Sequence, residues 1–375
     1  MLKIYFIFNH SHYYFIKMKK IRVLGIETSC DETSVSVVEK SPDGSIKILS
    51  NIVRGQLNVH EDFGGVVPEL AARAHSEIID KITSLAIKKA KVKFNDLNAI
   101  AATAGPGLLG GLIVGTVFAK TMASALKIPF IAVNHLEGHA LSVLLEHKIA
   151  FPYLLLLVSG GHTEFTIIKK FNSYKRIGTT LDDALGEAFD KTARLLNLGY
   201  PGGPLIEKCA TKGDLDKYKF PMPLIHEKNS DFSFSGLKSS IAQKVLNKKI
   251  TEKFKCDISA SFQKTIVEIL IKKTRQAIKT FNKETKNKTT VNIVVAGGVA
   301  ANQFIRSSLE NLEDQINCKF YFPSLKLCTD NGAMIAYAGI ERYEKGLFDK
   351  LNFKPRPRWP LDKNAIFMKG KRINA

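Results

Sequence analysis

Two histidines spaced four apart, His135 and His139 in NHLEGH, are the residues best suited to chemistry in this 375-residue chain. On a helix, positions i and i+4 share one face, so both imidazoles can reach one ion. Asp330, in CTDNGA, offers a carboxylate from far along the chain. Two imidazoles and one carboxylate leave coordination positions open for a substrate. The spacing alone leaves the plainer reading open, two satisfied helix histidines with no ion. The zinc-peptidase pattern H-E-x-x-H is not met, because Glu137 is the third residue of the set, about 200° around the helix from His135. A hydrolytic zinc site is therefore disfavoured.

Small-residue turns are the second chemical feature. LLVSGGHTE places Ser159, Gly160 and Gly161 after an all-apolar run. Glycine there lets backbone N–H groups approach an anion, although a plain hairpin turn uses the same residues. VVAGGVAAN repeats the pattern before a helix, whose N-terminus adds partial positive charge, and Asn302 is then placed to read a base or ribose hydroxyl. In DFSFSGLKSS the hydroxyls and Lys238 suit a phosphate, or simply a helix cap. Asp190, in EAFDKTARLLNLGYPGGP, can meet a ribose or pair with Arg194 one turn on. IETSCDET carries Glu27 and Asp31, the two acid–base candidates. A metal with vacant positions among such turns points to a nucleotide-linked substrate.

The elements that must position these groups alternate. IRVLGIE and TSVSVVEK read as a strand pair, VVPELAARAHSEIIDKITSLAIKKA as a helix, and LNAIAATAG as a buried strand. A small-residue helix and the strand IPFIAVNH follow, leading into the histidine helix. FPYLLLLVSGGHTEFTIIKK then begins the pattern again, with helices over 182–198 and 258–282, and strand–helix units at NIVVAGG and KFYFPS. This predicts a duplicated α/β architecture with a cleft between two lobes. Lobe I spans 18–148, and lobe II spans 149–375 with a C-terminal helix returning towards lobe I and a basic tail. Residues 1–17 form a non-core extension, read as an upstream start or, less readily, a targeting segment. No stretch elsewhere approaches a membrane span.

Lys and Arg number 55 against 35 Asp and Glu, a net charge of +20, which favours an anionic partner such as nucleic acid. A general lysine bias explains the scattered cations equally well. Residues 345–375 are more pointed, with nine Lys or Arg and two Asp. The five cysteines form no C-x-x-C pair, as suits reduced thiols in a cytosolic protein.

Taken together, GIETSCDET, FGGVVPELAAR, TAGPGLLGGLIVG, NHLEGHA, LLVSGGHTE, GEAFDKTARLLNLGYPGGP, DFSFSGLK, AGGVAANQFIR, CTDNGAMIAYAG and RPRWPL resemble the TsaD-type tRNA threonylcarbamoyladenosine transferases, in order from about residue 21 to 361. The resemblance implies the actin-like fold shared with sugar kinases and Hsp70-type ATPases. It implies transfer of a threonylcarbamoyl group from threonylcarbamoyl-AMP to N6 of adenosine 37 in tRNAs reading codons that begin with A. It assigns His135, His139 and Asp330 to a metal, one Fe²⁺ per subunit with Zn²⁺ as the alternative. Leu157, Val158, Ser159, Gly160, Gly161, Asp190, Gly203 and Asn302 would contact the carbamoyl adenylate. A TsaB-type paralogue and a TsaE-type ATPase would be partners, in the cytoplasm and with no membrane. The competing functions are a small-molecule or acyl-phosphate kinase on the same fold, which would not need the histidines, and a non-catalytic tRNA-binding scaffold.

Overall fold

The computed structural model describes residues 20–246 and 248–365. The 1–17 extension and the last ten residues of the basic tail lie outside the described residues. In chain order the strands are β1 (Ile21–Glu27), β2 (Glu32–Lys40), β3 (Ile46–Gly55), β4 (Ala99–Gly105), β5 (Phe130–Asn134), β6 (Tyr153–Val158), β7 (Thr163–Lys170), β8 (Ser173–Thr179), β9 (Val291–Ala296) and β10 (Cys318–Tyr321). The helices are α1 (Leu57–His60), α2 (Pro68–Ala90), α3 (Leu109–Leu126), α4 (His135–Ser142), α5 (Leu185–Leu195), α6 (Gly202–Ala210), α7 (Ser235–Val245), α8 (Glu252–Thr285), α9 (Gln303–Glu310), α10 (Leu325–Cys328) and α11 (Gly332–Glu344).

The strands form two five-stranded sheets with one topology used twice. The first has the order β3-β2-β1-β4-β5 and the second β8-β7-β6-β9-β10. In each, a central strand pairs antiparallel with the hairpin partner that follows it and parallel with a strand reached by a helical crossover. This is the two-lobe actin-like fold. Both faces of each central strand are buried, which is why β1 and β6 read as nearly unbroken apolar runs. Leu154, Leu156 and Val158 point to one side of β6, while Leu155 and Leu157 point to the other.

A helix beyond the last strand of each sheet reaches the opposite sheet. α4 follows β5, yet Leu136, Ala140 and Val143 pack against Leu155 and Leu157 of β6. α11 follows β10, yet Met334, Ile335 and Ala338 pack with Val23, Ala101 and Val133 of the first sheet. The two helices therefore cross between the sheets and touch each other. Gly138 makes the contact close, since a Cβ there would lie 2.9 Å from Ile335 Cδ1. At Gly25 a Cβ would sit 2.3 Å from the Ala336 nitrogen, so β1 accepts α11 only as glycine.

α3 corrects the expectation that no stretch approaches a membrane span. Its 18 residues have mean hydropathy 1.5 and are long and apolar enough by composition to cross one. The helix lies along β4 and α2, burying Gly111, Leu112, Gly115, Thr116, Ala119 and Ala123 and exposing Leu109, Ile113 and Val117.

Candidate metal centre and interlobe cleft

His135 opens α4 and His139 lies one turn on, with Asn134 capping the helix through an Oδ1 that accepts from the Leu136 N–H at 2.9 Å. Asp330 immediately precedes Asn331, the N-cap of α11. The crossing of the two helices brings these groups together across 191 residues of sequence. His139 Nε2 lies 3.0 Å and His135 Nε2 3.5 Å from Asp330 Oδ1, and all three ligand atoms fall within 4.8 Å of one another.

The protonation chemistry shows what this cluster suits. His135 Nδ1 lies 3.0 Å from Glu27 Oε2. A carboxylate there accepts a hydrogen bond from the Nδ1 N–H, which leaves the Nε2 lone pair aimed at Asp330. A lone pair and a carboxylate oxygen facing each other need a positive charge between them. A proton can supply it. Burial pulls the His135 pKa down, but Asp330 and Glu27 outweigh burial and push it up to about 9. Burial likewise raises Asp330, but His135 and His139 outweigh it and bring it to about 2. A divalent cation supplies the same charge and satisfies all three groups, so the donor set fits a metal with open positions.

Both acid–base candidates lie at this end of β1, in different states. Glu27 is fully buried and both its oxygens are committed: Oε1 accepts from the Ser29 N–H at 2.6 Å, and Oε2 faces His135 and accepts from the Thr103 hydroxyl. It holds the His135 ring. Asp31 sits in the β1–β2 turn and faces lobe II, where its charge adds to burial in raising the pKa of Asp190 and of Tyr200.

Glu137 is turned away from the cluster. Its carboxylate is fully buried and accepts from Tyr174 Oη at 2.7 Å and from Arg342 Nε at 3.1 Å, with Arg342 Nη2 completing the pair.

The glycine turns meet one another at the ends of β6 and β9, and His162, in the first of them, is near enough for its charge to act on Asp330. The side chains of Leu157 and Val158 are buried in the core and both residues pair with β7, so neither presents a side chain to a ligand. Gly160 and Gly161 have open space where a Cβ would be, as does Gly203. Gly297 has φ of 97°, and a Cβ there would strike the Val158 carbonyl oxygen at 2.5 Å. A Cβ on Gly186 would lie 2.8 Å from Gly160 Cα, which ties the start of α5 to the same turn. Ser159 Oγ accepts from the His162 N–H at 3.1 Å.

Asp190 Oδ1 accepts from the Gly202 N–H at 2.7 Å, holding the start of α6. Arg194 reaches across to the Gly64 carbonyl oxygen of lobe I. Asp190, Arg194, Asn197, Gly199, Tyr200 and Gly64 line a cavity of about 200 Å³ at this junction. A larger hollow of about 580 Å³, between the end of α3 and residues 349–352, lies among none of the groups described above. Asn302 caps α9, accepting from the Ile305 N–H at 3.0 Å and donating to Gln263 Oε1 at 2.6 Å.

In the DFSFSGLK segment, Asp182 accepts from the Ser233 and Ser235 hydroxyls and from the Phe234 N–H. A carboxylate thus occupies the helix start where a phosphate would sit, which favours the cap over a phosphate contact. Tyr200, Thr103, Ser29 and the Arg342–Tyr174 clasp were not singled out in the sequence. Only Ser29 and Tyr200, flanking small-residue turns, carried a local signal.

The family model described as TsaD, tRNA N6-adenosine threonylcarbamoyltransferase, matches residues 47–337. A protein of that name from Pelagibacter ubique is 54% identical over 354 residues, covering 94% of this chain and 98% of the relative. One from Rickettsia rickettsii is 51% identical, covering 91% and 98%. Among solved structures, HypF of T. kodakarensis superposes with a TM-score of 0.58 at 16% identity, covering 89% of this chain and 50% of that one, a likeness of fold. With a family model spanning most of its length and relatives identical at half their positions, the chain belongs to the tRNA N6-adenosine threonylcarbamoyltransferase (TsaD) family.

Proposed function

We propose that this enzyme transfers the threonylcarbamoyl group of threonylcarbamoyl-AMP to N6 of adenosine 37 in tRNAs reading codons that begin with A, releasing AMP. The observation that carries the reading is the meeting of His135, His139 and Asp330 beside the glycine turns, in a chain of this family. An exocyclic adenine amine is a poor nucleophile, so the acyl group must arrive activated, and a mixed anhydride with AMP provides the leaving group. Fe²⁺, or alternatively Zn²⁺, held by His135, His139 and Asp330 would supply Lewis-acid polarisation of the donor carbonyl.

The chain's own groups do the rest. Glu27 and Ser29 hold the His135 ring. Gly160, Gly161 and Gly298 have open space where a Cβ would be, and their backbone N–H groups suit the phosphate and the developing oxyanion. Asp190, Gly203 and Asn302 border the adenosine side. Asp31 is the remaining acid–base candidate, since Glu27 is committed. Positioning supplies much of the acceleration, for which about 7–11 kcal/mol is available from fixing two reactants.

The surplus of cations would hold the tRNA backbone, and adenosine 37 leaves its stack at low cost in a loop. A TsaB-type paralogue, a TsaE-type ATPase and a cytoplasmic setting complete the proposal. No observation favours the kinase.

The test is reconstitution with unmodified tRNA, threonylcarbamoyl-AMP and Fe²⁺, read by nucleoside mass spectrometry. His135→Ala and Asp330→Asn should each lose product by at least a hundredfold while the far-UV circular dichroism stays that of the wild type. Undiminished product from either variant removes that residue from the mechanism.

A further inference from the structure

Behind the β1–β2 turn runs a network of six hydrogen bonds, buried or partly so, whose direction the fixed donors and acceptors at its ends assign. The Cys30 carbonyl can only accept, so His75 Nε2, 3.0 Å away, carries a hydrogen. Gln56 Nε2 lies 3.3 Å from the Ala71 carbonyl, which fixes that end of the amide as the donor. The same nitrogen lies 3.1 Å from His75 Nδ1, which therefore accepts, and the Thr33 hydroxyl donates to it at 2.7 Å. Gln56 Oε1 must then accept from His60 Nε2 at 3.1 Å, and His60 Nδ1 accepts from the Val67 N–H at 3.4 Å. In His75 the hydrogen therefore sits on Nε2. His60, His75 and Thr33 are fully buried and Gln56 nearly so. Burial also lowers the His75 pKa, in keeping with a neutral ring.

The network ends on the turn that adjoins the metal ligands. Ser29 Oγ lies 3.2 Å from His135 Nδ1, and the Ser29 N–H holds Glu27, the other partner of that nitrogen. The turn is gripped on its other side by α3, where the Leu108 N–H donates to the Ser29 carbonyl at 2.8 Å and Thr28 Oγ1 donates to the Gly111 carbonyl at 2.8 Å. A Cβ at Gly111 would lie 3.1 Å from His75 Nε2, so ring, helix and turn are in direct contact. His75 supplies the hydrogen bond that fixes Cys30, the residue next to Ser29.

We propose that His75, oriented by Gln56 and Thr33, is a positioning residue for the acyl transfer: it fixes the Thr28–Asp31 turn so that Ser29 and Glu27 hold His135 for coordination. The role rests on the metal-assisted transfer proposed above. Groups that orient a ligand commonly change metal affinity by about 10–100-fold. His75 acts one step further out, so the lower end is expected.

The experiment compares wild type, His75→Phe, His75→Gln and Gln56→Leu for Zn²⁺ affinity, by competition with a chromophoric chelator, and for kcat and KM towards tRNA. His75→Phe should bind Zn²⁺ about tenfold more weakly and lose kcat with KM for tRNA within about twofold of wild type. His75→Gln keeps an N–H able to reach the Cys30 carbonyl and should recover most of both. Gln56→Leu leaves the ring but removes its orienting donor, so it should fall between them, and it carries the test if His75→Phe does not fold. A merely structural His75 predicts a lower melting temperature with unchanged Zn²⁺ affinity and kcat in the folded variants, and that result overturns the proposal. A wild type that neither binds Zn²⁺ nor modifies tRNA would instead overturn the metal-assisted reading beneath it.

Discussion

Replacing Arg342 by methionine would strand the Glu137 carboxylate inside the protein. Glu137 is fully buried, and the side chain of Arg342 is 14% exposed, so solvent cannot take over the lost contact. Arg342 supplies two hydrogen bonds to Oε2 and leaves Tyr174 alone on Oε1. Charge-assisted hydrogen bonds contribute about 1.5–3 kcal/mol each, and breaking a buried ion pair from one side costs about 3–5 kcal/mol. The expected loss is therefore about 4 kcal/mol. With a urea slope of about 3 kcal/mol/M, the unfolding midpoint should fall by about 1.3 M. Adding Glu137→Gln to Arg342→Met removes the stranded charge and should restore at least about 2 kcal/mol, a coupling that a double-mutant cycle isolates. The assay is urea unfolding followed by far-UV circular dichroism for the two single variants, the double variant and the wild type. A midpoint shift under about 0.3 M for Arg342→Met, or strict additivity in the cycle, would refute the view that Glu137 is a structural anion clasping α4 to α11. Because α4 carries both histidines, the same variant should also weaken metal binding.

Two other outcomes follow from the geometry. Burial raises the Asp182 pKa, but the serine hydroxyls and backbone N–H groups outweigh it, so the folded value lies below the unfolded one. Its contribution is present above the unfolded value and lost as pH falls through the folded value. Asp182→Asn should cost about 1–2 kcal/mol at pH 7, and its urea midpoint should converge with that of the wild type as pH drops below about 3.9. Equal midpoint differences at pH 7 and pH 3 would contradict this. For tRNA, replacing Lys354 and Arg356 by alanine should lower the slope of log affinity against log salt by about 1.5 if both meet phosphates, measured by filter binding across salt concentrations. An unchanged slope would place the tRNA elsewhere on the surface.

Arg356 already shows why such surface assignments need the fold. Its guanidinium lies over both the Phe353 and Trp359 rings, which face each other at 5.8 Å, at 5.1 Å from each, and its backbone N–H donates to the Ala104 carbonyl. The run Lys354–Trp359 is thus strapped onto lobe I, a placement its composition did not reveal. β3 and β8 were missed for a related reason. Both are edge strands in which exposed or half-buried positions outnumber buried ones, so they lack the apolar run that marks β1 or β6.

The sequence by itself determined the local conformations: unbroken apolar strands buried on both faces, small-residue turns between them, the repeat of strand–turn–strand, and two histidines on one face of a short helix. Each follows from interactions within a few residues or from simple periodicity. The tertiary structure alone decided that α4 and α11 exchange sheets and cross, that Asp330 therefore meets residues 191 and 195 positions earlier, and that Glu27 serves His135 while Glu137 serves Arg342. Those outcomes depend on which buried faces are complementary and how closely a glycine lets two backbones approach, and no spacing along the chain encodes a distance through space.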